Sequence, residues 1–168
     1  MKKSADKKAV KHPLPPVWDG NSRILILGSF PSVKSREEGF FYGHPQNRFW
    51  RLISALLERE APGTVEEKRK MLLTSRIALW DVIGECEIEG SSDGSIRRAL
   101  PNNLEPIIRQ SSVRHIFLNG KAAEKYYLKH HKDGLAVPHS TLPSTSPANA
   151  KYSLDALAEA WAVIKEYL

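Results

Sequence analysis

The sequence has very little cysteine and no long apolar run. A single cysteine, Cys86, stands among 168 residues, which excludes an internal disulfide, a zinc site built only of cysteines and a cysteine-ligated iron–sulfur cluster. No apolar run approaches the ~20 residues that span a bilayer, and no apolar segment follows the N-terminal lysines, which excludes a secretory signal. We therefore expect a soluble, cytoplasmic protein without a membrane partner.

Most of the excess positive charge lies at the N-terminus. The net charge is +6, and residues 1–11 alone hold five lysines and one aspartate, which leaves only +2 for residues 12–168. We expect residues 1–11 to form a flexible basic tail that adds either non-specific phosphate affinity or solubility. Residues 12–168 are expected to form one domain. The charge by itself does not identify a nucleic-acid partner.

Apolar runs alternate with helical patterns along the chain. Nearly unbroken apolar runs predict strands at residues 23–28, 77–83, 113–118 and 135–137. Helical spacing and capping residues predict helices at 47–57, 65–74, 93–100, 103–110, 121–130 and from 153 onward. Three prolines make residues 12–18 an extended arm held by Trp18, and residues 29–46 and 84–94 are expected to be loops. The alternation predicts a three-layer αβα sandwich with a short, mainly parallel central sheet.

Unusual loop residues follow the predicted strands. In parallel α/β sheets, ligands bind beyond the carboxyl ends of the strands. That rule selects the loops after Gly28 and Asp81 and the turn at Asn119–Gly120, with the loop 139–149 beside them. We therefore expect the chemistry of this protein to lie on one face.

Two of these loops carry distinctive groups. The first contains three adjacent aromatic residues, at 40–42, which either pack inward or form a stacking surface. Asn47 follows them and is a natural helix N-cap. The second, LPSTSPAN at 142–149, combines two prolines with small hydroxyls. It is either a rigid connection into the last helix or a binding loop for an anion such as a phosphate.

Five segments together carry a resemblance to a known family. They are GSFPS, GFFYGHPQNRFW, ALWDVIGECEIEGSSDGSI, FLNGKAA and LPSTSPAN, spread over residues 23–152. The sequence resembles the uracil-DNA glycosylase superfamily, and within it most closely the hypoxanthine-DNA (deoxyinosine) glycosylase branch. The HPQNRFW segment also resembles mismatch-specific uracil glycosylases. The resemblance implies a uracil-DNA glycosylase-like fold and a monofunctional DNA glycosylase of base excision repair. Its substrate would be DNA that contains a deaminated base, hypoxanthine above all.

One residue departs from the family pattern. The uracil and mismatch branches have an Asp or Asn in the first motif, where it positions the attacking water, and this chain has Phe30 there. The resemblance to the hypoxanthine branch assigns that role to Asn47, whose amide can orient water without being a strong base. His44 could donate a hydrogen bond to the leaving base, or it could simply bind a backbone carbonyl.

The remaining expected site residues hold the base and the DNA strand. Phe30, Phe41 and Tyr42 are expected to hold the flipped base, and the Asn119 amide to pair with the N1–H and O6 edge of hypoxanthine. Asn119 could instead be a polar turn residue. Asp81 is either a catalytic carboxylate or, as we favour, a buried aspartate bonded to loop amides. The expected DNA contacts are Ser32, Ser144, Thr145, Ser146 and Asn149.

The sequence is also compatible with other functions. A uracil or mismatch-specific glycosylase, a non-catalytic DNA-lesion-binding protein and a small-molecule binder using the Gly120 turn for phosphate are the alternatives. We expect no metal, because the His130–His131 pair lacks partners at ligand spacing, and no other cofactor. Lys121, in FLNGKAA, is the one lysine within the five segments, and we expect no Schiff base because the other four have no lysine to form one. We also expect the protein to be a monomer.

Overall fold

The computed structural model describes residues 8–131 and 133–168. Its strands are β1 Val10–Lys11, β2 Ile24–Gly28, β3 Ile77–Asp81, β4 Ile83–Glu87, β5 Arg97–Pro101, β6 His115–Asn119 and β7 His139–Leu142. Its helices are α1 Val33–Glu38, α2 Phe49–Leu56, α3 Val65–Thr74, α4 Glu105–Gln110, α5 Lys121–His130 and α6 Leu154–Trp161. Short 3₁₀ turns occupy Asp93–Ser95 and Ala162–Tyr167.

A four-stranded parallel sheet forms the centre of the fold. Its strand order is β3-β2-β6-β7, and every neighbouring pair is parallel. Side chains alternate between the two faces of a strand, so Ile24 and Ile26 pack among α2, α3 and α6, while Leu25 and Leu27 pack among α4, α5 and β4. The three-layer arrangement with a short parallel sheet is therefore confirmed.

A second, antiparallel sheet has the order β1-β4-β5 and differs from the sequence-based expectation. The loop expected at 84–94 contains most of β4, and the helix expected at 93–100 is wrong, because a 3₁₀ turn there leads into β5. β5 is largely exposed. A strand that is not buried on both faces needs no continuous apolar run, so its sequence lacks the signal that identified β2 and β6.

Two further elements are displaced from their predicted positions. The strand expected at 135–137 lies later, as β7, and its residues are mostly only half-buried. The long loop at 29–46 contains the short helix α1, which begins after Ser32 because the Ser32 hydroxyl accepts a hydrogen bond from the backbone N–H of Ser35. Both differences concern short elements with few buried side chains.

The N-terminal segment is part of the fold from residue 10 onward. Residues 1–7 of the expected tail lie outside the described residues, but Val10 and Lys11 pair with Cys86 and Glu85 of β4, so the tail does not extend to residue 11. The arm that follows is extended, as expected. Its backbone pairs at Val17 with Leu79 of β3, and the half-buried Trp18 side chain packs against the core, as expected.

Within the described residues, the helices are too short or too polar for one of them to cross a membrane.

Candidate active site

A pocket of about 340 Å³ opens at the carboxyl ends of β2, β3 and β6. It lies where the sheet rule places a ligand. All the expected site residues except Asn149 line it. The pocket walls come from the loop after β2, the start of α2, the ends of β3 and β6, the loop before β5 and the loop after β7.

Asn47 lines the pocket and binds the first backbone N–H of α2, although the N-cap position itself is Arg48. Its Oδ1 accepts hydrogen bonds from the Phe49 backbone N–H at 3.0 Å and from the Thr145 hydroxyl at 2.9 Å. Since an N–H must donate, the acceptor atom is the amide oxygen, and the amide orientation is determined. The Nδ2 group of Asn47 has no hydrogen-bond partner among the described residues. The hydrogen bond to α2 uses only the amide oxygen of Asn47, so the amide NH₂ group remains available to a ligand in the pocket.

Asn119 at the end of β6 is buried and fully hydrogen-bonded. Its Nδ2 donates to the Tyr42 hydroxyl at 3.0 Å and to the Thr145 hydroxyl at 3.1 Å, and its Oδ1 accepts from the Thr145 backbone N–H at 3.1 Å. Thr145 in turn donates to Asn47. A continuous chain of hydrogen bonds thus joins Tyr42, Asn119, Thr145 and Asn47. Pairing of Asn119 with a base stays a prediction, and it would require these bonds to be exchanged.

The loop after β7 has one buried member and several accessible ones. Thr145, which we expected to contact DNA, has no exposed surface, because its hydroxyl and N–H bind Asn47 and Asn119 inside the protein. Ser144 and Ser146 line the pocket, and each hydroxyl accepts a backbone N–H of its own loop. Asn149 lies outside the pocket lining, and its side chain donates to the Ser144 carbonyl at 3.0 Å, which stabilises the loop.

Arg48 is a site residue that the sequence analysis did not identify. Its guanidinium donates to the carbonyl oxygens of Ser146 and Asn149, each at 3.0 Å, and to that of Tyr152, while its backbone N–H donates to the Thr145 carbonyl. The sequence offers only its adjacency to Asn47 as a signal. Arg48 therefore fastens the loop after β7 to the start of α2.

A tryptophan holds the same loop from its other end. The Trp161 side chain is fully buried, and its Nε1 donates to the Pro143 carbonyl at 2.9 Å. The loop between Pro143 and Tyr152 is thus fixed by α6 on one side and by Arg48 on the other.

We expect Arg48→Met to lower the free energy of unfolding by about 2 kcal/mol, because several buried or half-buried carbonyls lose a charged donor. Amide hydrogen exchange within residues 144–149 should accelerate. Arg51→Met is the matched control, since Arg51 is exposed on the same helix and its side chain has no hydrogen-bond partner among the described residues. Equal unfolding free energies and equal exchange in the two variants would contradict the fastening role.

Aromatic side chains form one wall of the pocket and are themselves well packed. Phe30 and Phe41 are 8% and 2% exposed, and both line the pocket. Tyr42 stacks on Phe49 with ring centroids 4.1 Å apart. These residues therefore pack inward, and their stacking on a base stays a prediction.

His44 is held in one tautomer. Its Nδ1 accepts a hydrogen bond from the Gln46 backbone N–H at 3.1 Å. The neutral ring therefore carries its proton on Nε2. Its ring nitrogens bind no backbone carbonyl in the described structure, and the Nε2–H group is left to donate to a ligand.

Two carboxylates also line the pocket, and one of them has an unexpected partner. Asp81 is buried, as expected, but its Oδ2 is bound by the side chain of His12 at 2.7 Å rather than by loop amides. Asp93 accepts a hydrogen bond from the Ser29 hydroxyl at 2.8 Å. Sequence reasoning did not identify His12, because the residue lies in the arm, 69 positions before Asp81.

No cluster of three or more metal-ligating side chains occurs in the described part of the chain.

Comparison with known proteins identifies relatives of this chain. Residues 15–165 match the family described as the uracil DNA glycosylase superfamily. A curated protein of Methanosarcina acetivorans, named hypoxanthine DNA glycosylase, is 36% identical over 160 residues, which cover 93% of this chain and 99% of the relative. A protein of the same name from Methanosarcina barkeri is 33% identical over 118 residues, 69% of this chain and 75% of the relative.

The three-dimensional similarity agrees with these matches. A solution NMR structure of a candidate uracil DNA glycosylase from Methanosarcina acetivorans superposes with a TM-score of 0.79 and 34% sequence identity, covering 95% of this chain and 99% of that one. The resemblance seen in the five sequence segments is confirmed by a family match that includes all five of them. The chain belongs to the uracil DNA glycosylase superfamily.

Proposed function

We propose that this protein is a monofunctional DNA glycosylase that hydrolyses the N-glycosidic bond of hypoxanthine in DNA, a step of base excision repair. The observation that carries the proposal is its similarity, over almost the whole chain, to a protein named hypoxanthine DNA glycosylase. The pocket supports it, because an enzyme that acts on a base must receive the nucleotide flipped out of the duplex, in a site that stacks and hydrogen-bonds it. Aromatic and polar groups share this pocket.

Asn47 would orient the attacking water. Its free Nδ2–H group can donate to the water oxygen, while its Oδ1 is held by Phe49 and Thr145, so the donor is fixed in direction. In the reaction the C1′–N9 bond breaks with its electron pair passing to the purine. The water oxygen bonds to C1′, and its proton passes to the departing base or to solvent. An amide is a weak base, so bond breaking must run ahead of water attack.

The charges that develop in this reaction have partners in the pocket. His44 Nε2–H is available to hydrogen-bond the negative charge on the departing base. The Asp93 carboxylate adds negative potential that favours positive charge on the sugar. Lys121 lies outside the pocket lining, which supports water rather than a lysine amine as the nucleophile. Phe30, Phe41 and Tyr42 would hold the base in place.

The loop after β7 would contact the DNA strand. Ser144 and Ser146 expose hydroxyls whose hydrogens remain free to donate to phosphate oxygens. Arg48 adds a positive charge behind them, and no carboxylate lies within salt-bridge distance of it in the described structure. Asn149, in the same loop, would also contact the DNA strand. Ser32 would contact DNA by redirecting to a phosphate the hydroxyl hydrogen that it donates to Ser35 Oγ at 3.0 Å.

We further propose that the enzyme works as a monomer, without a metal, in the cytoplasm. The groups proposed above to act on the water, the base and the strand all belong to a single copy of the chain, so the proposed chemistry needs no second subunit. Asn47 supplies a means of orienting water that needs no metal. The single cysteine is consistent with a reducing compartment.

The test of this function is base excision from defined DNA. Labelled oligonucleotides carrying one inosine, uracil, xanthine or undamaged base are incubated with excess protein in EDTA and then treated with hot alkali. We expect strand cleavage at inosine, unaffected by EDTA, and no protein–DNA adduct after borohydride treatment. Cleavage chiefly at uracil would replace hypoxanthine with uracil as the substrate. Lesion-dependent retention in a gel without cleavage would indicate a non-catalytic binder instead.

A further inference from the structure

The floor of the pocket contains a carboxylate oxygen that lacks a donor. Asp81 is only 4% exposed and lines the pocket. Its Oδ2 accepts the hydrogen bond from His12, but its Oδ1 has no hydrogen-bond donor among the described residues. Oδ1 is open to the pocket and, in the free protein, to solvent. A ligand that displaces this solvent must bring an N–H group to Oδ1, because a carboxylate oxygen left unpaired under the ligand would be costly.

His12 fixes which oxygen of Asp81 faces the pocket. The Leu14 backbone N–H donates to His12 Nδ1 at 3.1 Å, so the neutral ring has its proton on Nε2 and donates it to Asp81 Oδ2. The ring is packed against Phe30 and Trp80, with centroids 5.7 and 6.2 Å away, and its side chain is only 2% exposed. The carboxylate therefore has little freedom to rotate.

A hydrogen-bond donor lies beside this acceptor. The Tyr42 hydroxyl accepts a hydrogen bond from Asn119, which leaves its own hydrogen free to donate. A Cβ placed on Gly28 would lie 2.5 Å from Asp81 Oδ1 and 3.0 Å from the Tyr42 oxygen, so the two oxygens flank the same glycine. Burial and the neighbouring Asp81 charge raise the pKa of Tyr42 above its ordinary value, and the hydroxyl keeps its proton.

We propose that Asp81 Oδ1 and the Tyr42 hydroxyl together read the lactam edge of the flipped base, Asp81 accepting from N1–H and Tyr42 donating to O6. This assignment rests on the proposed function. In this assignment Asp81 and Tyr42 contact the base directly. Asn119 acts through Tyr42, because it donates to the Tyr42 hydroxyl and so orients that hydroxyl as a donor. The pair at the floor of the pocket thus determines specificity against adenine, whereas guanine has the same N1–H and O6 groups and differs from hypoxanthine only at C2.

The chemistry of deamination explains why this pairing would discriminate. Adenine presents a lone pair at N1 and an amino group at C6, and its deamination produces N1–H and O6. The donor and acceptor positions are exchanged. Adenine would therefore set its N1 lone pair against Asp81 Oδ1 and its amino hydrogens against the Tyr42 hydrogen. An unpaired buried polar group on each side is a strong basis for rejection.

The first test uses the unmodified protein. Single-turnover excision is compared for duplexes containing deoxyinosine and 1-methyl-deoxyinosine, which lacks the N1–H donor. We expect excision of the methylated base to be at least about tenfold slower, the factor given by loss of a hydrogen bond to a charged group. Equal rates would overturn the proposal, and this result needs no variant to fold. No excision of either base would instead refute the proposed function.

The second test replaces the acceptor at Asp81 Oδ1 with a donor. In Asp81→Asn, His12 still donates to the side-chain oxygen, so the amide NH₂ group faces the pocket and opposes N1–H. We expect inosine excision to fall at least about tenfold and the preference for inosine over 1-methylinosine to shrink. Asp155→Asn is the matched control, because Asp155 is exposed at the start of α6. Unchanged inosine excision and unchanged preference in Asp81→Asn would overturn the proposal.

Tyr42→Phe provides a variant that keeps the ring stacked on Phe49 and removes only the hydroxyl. We expect a slower excision of inosine and a somewhat lower melting temperature, because the buried Nδ2 group of Asn119 loses one of its acceptors. A normal rate in this folded variant would remove Tyr42 from the recognition pair and overturn the proposed lactam reading. Should Asp81→Asn fail to fold, this variant and the methylated substrate still decide the proposal.

Discussion

Replacing Asn47 with alanine is expected to slow single-turnover excision of hypoxanthine by about 10²-fold or more, the range for loss of one preorganised hydrogen-bond donor in an active site. The substitution removes the Nδ2 donor that faces the pocket. It also removes an oxygen that caps α2 and receives the Thr145 hydroxyl, so the free energy of unfolding should fall by about 1 kcal/mol. Excision rate and thermal denaturation are measured on the same preparation.

The chain contains a matched control for the capping role of Asn47. Asn103 accepts a hydrogen bond from the Glu105 backbone N–H at 3.2 Å, with the same two-residue spacing as Asn47 and Phe49, but it lies outside the pocket lining. Asn103→Ala should lose a similar amount of stability and keep the full excision rate. If Asn47→Ala keeps that rate as well, Asn47 is only a helix cap.

Gly120→Ala is expected to have the largest effect on the loop after β7. Gly120 has φ +95° and ψ 172°, a conformation that costs residues with a side chain about 1–3 kcal/mol. An added Cβ would also lie 2.8 Å from the Cβ of Ser144. Because that atom is attached directly to the backbone, relief requires the loop to move. We expect the free energy of unfolding to fall by about 2 kcal/mol or more. Because the loop that would contact DNA is displaced, we also expect Gly120→Ala to bind DNA more weakly than the parent protein.

Gly20→Ala separates this strain from the general effect of adding a methyl group. A Cβ on Gly20 would meet only the Gln110 carbonyl oxygen, at an ordinary 3.7 Å, and Gly20 does not have a positive φ. Its melting temperature and DNA affinity should stay close to those of the parent protein. An affinity loss confined to Gly120→Ala would support displacement of the loop, whereas equal behaviour of the two variants would refute it.

The sequence was sufficient to predict where the site lies. Gly28, Asp81 and Asn119 end strands that are buried on both faces, and the parallel order of those strands brings their carboxyl ends together. That geometry and the family resemblance also selected ten residues that line the pocket, but not Ser35 or Ser91, and the roles of the ten stay predictions. The strand pattern does not predict which side chains hydrogen-bond to each other at this edge of the sheet.

The partners that sequence reasoning missed are distant along the chain. His12 binds Asp81 across 69 positions, and Arg48 binds carbonyls 98 to 104 positions away. Neither residue type is unusual in its local context, since one lies in a proline-rich arm and the other beside a helix start. Long-range pairing of this kind depends on the tertiary fold, so a local pattern predicted neither the pairing nor the burial of Thr145.

Both ends of the folded chain contribute to the pocket, and this has a consequence for biosynthesis. His12 orders the carboxylate at the pocket floor, and Trp161 holds the loop after β7 through the Pro143 carbonyl. While the chain is still on the ribosome, the aromatic wall and the carboxylates emerge well before the helix that anchors this loop. Because domains fold largely as units, we expect the nascent protein to have no DNA-binding activity until the residues around Trp161 have left the exit tunnel.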